Sequence, residues 1–264
     1  MRKFGSVLMM GAMVGIVIAI MILAGFGPAG SGRQADDKLE HAKHQLEALI
    51  LLGTENAVGR IAAVVKWQGD WKSQLRPEEA AGQLAEKLGL NAPELSKVQD
   101  HTVYEAEGSY GKVAGKLSVM ELDNRLYVVF RLDGTAEEAG ELQQAQWNAG
   151  RVLLENGADV KWNASVQGLA PASERSGDRN ADAIASASEK LKQIEMTAAK
   201  LKPAALDAYS DGTTVSRSYY IPSFSITSIV GEGKVSGLQM AVHTDTVTGL
   251  QEVSFGSPML TIEY

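Results

Sequence analysis

The chain has 264 residues with a formal net charge of −7 and no cysteine, which excludes disulfides, thiol catalysis, cysteine metal sites and a lipid-modified cysteine anchor. Residues 34–264 carry 22 basic against 32 acidic side chains, a formal charge of −10. Such a surface repels phosphate backbones and gives no general attraction to anionic lipid, since both attractions depend on Lys and Arg.

Arg2 and Lys3 precede an uncharged stretch, and residues 7–26 are almost wholly apolar. A hydrocarbon core of about 30 Å needs roughly 20 apolar residues in helical form, so the segment reads as one apolar membrane helix. Two outcomes stand. The first is a retained anchor, with Arg2 and Lys3 on the cytoplasmic side. The second is a signal peptide cut near Ala29, where Gly27-Pro28-Ala29 supplies small residues. Either puts the rest of the chain outside the cytoplasm: single-pass at the cell membrane, or secreted.

Next, 27–38 reads as a polar flexible link. Leu39, Ala42, Leu46, Leu49 and Ile50 recur at helical spacing. Residues 61–67 read as a strand. Pro77, with Glu78 and Glu79 behind it, opens a helix whose inner face is Ala81, Leu84 and Leu88 and which Gly89 ends. Strands follow at 102–109, 116–120 and 125–132, the last two joined by the hairpin signal Asp123-Asn124.

A long helix at 136–155 and a strand at 159–166 then restart the order. A polar loop near 170–181 and a helix at 184–201, stopped before Pro203, come next. Strands are expected at 215–221, 224–230, 238–243 and 250–255, then an alternating apolar tail at 259–264.

Two local matches suggest duplication. Val65-Lys66-Trp67 resembles Val160-Lys161-Trp162, 95 residues on. Gly111-Lys112-Val113-Ala114-Gly115 resembles Gly233-Lys234-Val235-Ser236-Gly237, 122 residues on. The expected organisation is a membrane anchor or signal segment at 1–33, a first α+β half at 34–135 and a second at 136–264. Runs of strands between helices indicate α+β, with antiparallel sheet.

Several segments carry a further signal: Gly69-Asp70-Trp71, Leu75 and Pro77-Glu78-Glu79-Ala80-Ala81; Trp162-Asn163-Ala164-Ser165-Val166-Gln167-Gly168; Ser218-Tyr219-Tyr220; Leu238-Gln239-Met240-Ala241-Val242-His243; and the ending Gly256-Ser257-Pro258-Met259-Leu260-Thr261-Ile262-Glu263-Tyr264. Together they resemble the YwmB-like family of exported proteins from Gram-positive, often spore-forming bacteria. The resemblance spans roughly 37–264. It implies a fold like the TATA-box-binding protein: a duplicated, curved antiparallel sheet with helices on one face, here preceded by the N-terminal apolar helix. No activity is established for the family, so no functional residue carries over. A DNA saddle needs basic edges and apolar wedges, and the charge of −10 opposes that use.

Candidate chemistry is sparse. Glu40, His41 and His44 have spacing that can hold zinc, but Asp36, Asp37, Lys38 and Lys43 around them make a solvated face the simpler reading. Asp100-His101 with Glu105 and Glu107 forms the candidate acid/base cluster, set against the polar face of a half-exposed sheet. His243 falls opposite Met240 and Val242, a solvated position. Lys112 and Lys234 are not in phosphate loops, because Val follows each Lys and Ala106 and Ser228 stand where that motif needs glycine. Asn163-Ala164-Ser165 is a glycosylation acceptor only in a eukaryotic secretory pathway.

Trp67, Trp71 and Trp162 are the candidate ligand or partner surface, against core packing at the ends of the repeated strands. No cofactor and no metal site is expected. The functional expectation is a non-catalytic binding or scaffolding protein of the envelope. Its partner would be an envelope protein or wall component, with the membrane met through the N-terminal segment and no nucleic acid bound. An envelope hydrolase using Glu105 and Glu107 is the alternative, with DNA binding third.

Overall fold

The computed structural model describes residues 32–98, 101–171, 183–245 and 247–260. The first part runs α1 (Gly32–Asn56), β1 (Val58–Trp71), α2 (Pro77–Lys87), β2 (Glu94–Val98), β3 (His101–Tyr110), β4 (Val113–Leu122) and β5 (Arg125–Thr135). The second runs α3 (Ala139–Glu155), β6 (Ala158–Leu169), α4 (Ala183–Thr197), β7 (Ala204–Ser210), β8 (Thr214–Tyr220), a short ribbon of β9 (Ser228–Val230) and β10 (Lys234–Ser236), then β11 (Leu238–Thr244) and β12 (Gln251–Ser257). Ten strands form one antiparallel sheet in the order β2-β3-β4-β5-β1-β6-β12-β11-β8-β7.

Local signals account for most boundaries. Pro77 starts α2, and Gly89 follows it at φ +68°, a left-handed value that glycine adopts without strain. Asp123 and Asn124 both have positive φ (51° and 60°), giving the turn twist that matches β4 to β5. Thr135 N–H donates to Glu138 Oε2 at 2.9 Å, closing the turn that leads into α3.

The core lies between the sheet and the helices. On β1, Ala63, Val65 and Trp67 are buried; Phe130 and Leu132 of β5, Trp162 and Val166 of β6, and Val253 and Phe255 of β12 share that side. All four α-helices of the described residues meet it. Leu39, Leu46 and Leu49 come from α1, Leu84 from α2, Leu142 and Leu153 from α3, and Leu191 and Ile194 from α4. The period-2 alternation of the strands therefore sends apolar side chains to the helices and polar ones to the other face.

The fold expectation needs correction. Among the described residues no helix is long and apolar enough to cross a membrane. The first described helix, α1, is amphipathic, and it takes in residues 32–38 that were expected to be part of a flexible link. The apolar segment at 7–26 lies outside the described residues, as does most of the polar loop near 170–181. In place of a sheet in each half, β1 pairs with β6, so the two halves share one sheet. The α+β class stands, as a large antiparallel sheet with helices.

The two short matches fare differently. Trp67 lies directly opposite Trp162 across the β1–β6 ladder, where the two halves join. Gly111–Gly115 makes the β3–β4 turn, whereas Gly233–Gly237 runs through the β9–β10 ribbon outside the large sheet. That second match does not mark equivalent positions. The expected strand at 224–230 is real only at β9, because Phe224 instead packs into the core beside His44 and Gly237. The edge strands β2 and β7 were not expected. Both are largely exposed, so neither carries an apolar alternation to read.

Candidate functional site

The three tryptophans are core residues, which corrects the expectation of an exposed ligand surface. Trp67, Trp71 and Trp162 are 0%, 4% and 2% exposed. Their indole N–H groups donate inward, to Gln146 O, Asn156 O and Gln146 Oε1. An indole buried on all sides with its one donor satisfied has nothing left to offer a ligand.

The other candidates do not converge. Glu40, His41 and His44 are exposed on α1, and no group of three metal-ligating side chains exists among the described residues. Glu105 and Glu107 do point to the same side of β3, but both face Lys116 Nζ, at 3.0 and 3.5 Å. Glu105 also accepts from Ser118 Oγ. Asp100 lies outside the described residues. His243 is exposed and pairs through Nδ1 with Thr214 Oγ1 at 3.0 Å. Lys112 is held at its backbone, where its N–H donates to Glu141 Oε2. Lys234 reaches Leu206 O and Glu232.

The sheet face opposite the helices was less legible. Its centre is a transverse row set by register: Lys116 opposite Arg131, Arg131 opposite Lys66, and Lys66 opposite Asn163. Acids lie beside these cations. Arg131 makes two bonds to Asp133 at 2.7 and 2.6 Å, Lys116 meets Glu105 and Glu107, and further along Arg125 bonds Asp70 at 2.8 Å. The face is thus dense in charge but balanced. That suits hydrogen-bonded recognition of a polar partner more than a polyanion. A second row, Val103–Met120–Tyr127, forms an apolar island, with Val103 and Met120 at 1% and 2% exposure. Burial, then the charge of Asp70, raises the Tyr127 pKa.

Two shallow clefts lie on the helix side. One, of about 330 Å³, is lined by Tyr110, Glu141, Gln144 and Asn148. The other, of about 480 Å³, lies between α4 and β8 and is lined by Glu195, Lys202, Arg217 and Tyr219. In it Glu195 Oε1 accepts from both Arg217 Nη1 (2.5 Å) and Tyr219 Oη (2.6 Å). Such a network ties α4 to β8.

Burial and the Glu195 carboxylate raise the Tyr219 pKa far above the usual tyrosine value, and burial pushes Tyr110 up to about 12. Above about pH 10 the unfolded chain loses these protons while the native state keeps them. The associated stability is therefore complete below about pH 10 and is lost as the pH rises beyond it, by at most about 1.4 kcal/mol per pH unit for Tyr219. Urea midpoints should drop between about pH 9 and pH 11, and should drop less in Tyr219→Phe. Equal losses in the two proteins would contradict this account.

No family model and no curated protein matches the chain. Among solved structures, the crystal structure of DynU16, a protein in the dynemicin biosynthetic locus, aligns with 73% of this chain and 85% of its own at 11% identity and a TM-score of 0.20. At that score the likeness carries no argument about fold or function.

Proposed function

We propose that this chain is a binding or scaffolding protein of the bacterial cell envelope, membrane-tethered or secreted, whose partner docks on the sheet face opposite α1 to α4, helix-free among the described residues. The observation that carries the reading is the one-sided placement of α1 to α4. It leaves the row Lys116–Arg131–Lys66–Asn163 and the polar side chains around it on the opposite side of ten strands. The extracytoplasmic placement rests on the apolar segment at 7–26 and on the resemblance to exported proteins. The partner is then an envelope protein or wall component. The hydrolase alternative gains no support from Glu105 and Glu107, which share Lys116 on a sheet face in place of converging in a pocket.

A photo-crosslinking residue at Lys161, exposed on the helix-free face, tests this in intact cells of a Gram-positive host. A discrete adduct is expected from Lys161 and none from Gln83, which is exposed on α2. Adducts from Gln83 alone would place the partner on the helix side and sink the proposal. Fractionation with N-terminal sequencing in the same cells separates the tethered form from the secreted one.

A further inference from the structure

The helix-free face already holds one stretch of polypeptide. β12 ends at Ser257, whose hydroxyl donates to Gly237 O at 2.8 Å and accepts from Gln45 Nε2 at 2.6 Å. Past this fixed point the chain lies back over the sheet. Met259 O accepts from Asn163 Nδ2 at 2.8 Å, and Leu260 N–H donates to Gln239 Oε1 at 3.0 Å. Asn163 is on β6 and Gln239 on β11, the two strands that flank β12.

Between them is Gly256, paired with Gln239 on one side and Ser165 on the other. A Cβ on Gly256 would stand 2.6 Å from Leu260 N and 2.7 Å from both Leu260 Cα and Met259 C, closer than any real contact. So the 259–260 peptide group lies on a bare glycine, with one side-chain amide donating to its C=O and another accepting from its N–H.

These contacts read the main chain only. A donor and an acceptor set about a strand spacing to either side of a glycine match the C=O and N–H of any extended segment, as in strand-addition recognition. We propose that this strip is a main-chain binding groove, that its resident occupant is the chain's own segment 258–260, past the fixed Ser257, and that an extended segment of a partner polypeptide binds there by displacing it. The inference rests on the reading of the helix-free face as the partner surface. It adds the class of partner, a polypeptide with an extended stretch, and a built-in competitor. A tethered segment competes at an effective concentration of order mM, so the resident segment excludes weak partners and yields to strong ones.

Two measurements on the ¹⁵N-labelled full chain test it. Gly256→Ala removes the floor while leaving an ordinary strand position, so Leu260 N–H exchange protection should fall at least about tenfold, the equivalent of one or two hydrogen bonds. The octapeptide spanning residues 257–264 is then titrated into the unmodified chain at about 1–10 mM. The Leu260 amide signal should move toward a free-chain position as the peptide takes its place. The double variant Asn163→Ala/Gln239→Ala should bind the peptide at least about tenfold more weakly.

Unchanged Leu260 protection in Gly256→Ala would overturn the resident seat. A Leu260 signal that stays in place at the highest peptide concentration would overturn the groove. Neither result moves the Lys161 crosslink, so a failure here is distinct from a failure of the partner surface itself.

Discussion

Trp67→Ala is expected to lower the unfolding free energy by about 3–5 kcal/mol, the range for emptying a fully buried aromatic site. Trp67 is 0% exposed, lies across from Trp162, and donates to Gln146 O. The space cannot close readily, because α3 is already as near as its backbone allows. A Cβ on Gly150 would stand 2.6 Å from Trp67 Cζ2 and 2.7 Å from Leu39 Cδ2. Gly150 therefore lets α1 and α3 press together over the indole, and Gly150→Val should itself cost about 1–3 kcal/mol by overpacking. Urea unfolding measures both. Because Trp67 and Trp162 share Gln146, the double variant should depart from additivity by at least about 0.5 kcal/mol. A loss below about 1 kcal/mol for Trp67→Ala would mean that the site is not the sealed core found here.

Gln45→Leu is expected to cost about 2–4 kcal/mol although the side chains are of similar size, because it strands buried polar partners. Gln45 is fully buried on α1, yet its side-chain hydrogen bonds cross to the second half. Its Nε2 donates to Ile226 O at 3.0 Å and to Ser257 Oγ at 2.6 Å, and its Oε1 accepts from Ile226 N–H at 2.7 Å. Leucine would leave the Ile226 N–H and C=O without these partners inside the protein. Since Ser257 is the fixed point before the 259–260 peptide, the variant should also raise Leu260 N–H exchange. A neutral urea midpoint would show that water takes over the amide's role.

Much of the secondary structure could be read from local chemistry. Pro77, Glu78 and Glu79 opened α2, the pair Asp123-Asn124 turned β4 into β5, and the leucine spacing marked α1. These signals act within a few residues, so they survive without knowledge of the fold. What failed depended on distant neighbours. Trp67 ends an apolar run while Trp71 and Trp162 have polar neighbours, and either position can face a solvent cleft or a helix. Only the docking of α3, with Gln146 and Asn156 as acceptors, made them core. The Gly-Lys-Val match looked like a repeat until register put its second copy in the β9–β10 ribbon.

The basic row illustrates the same division. Lys66, Lys116 and Arg131 are up to 65 residues apart in the chain, and no spacing rule joins them. They meet because β1 and β4 both pair with β5 at one register, which a slip of a single residue would turn to the other face. By itself the sequence determined the elements with strong periodicity, the absence of cysteine chemistry and an acidic balance of −10 in residues 34–264. Those follow from residue type and local spacing. The tertiary structure alone decided which face is covered, which charges are neighbours and where the 259–260 peptide lies, because each depends on pairing between segments that the chain keeps far apart.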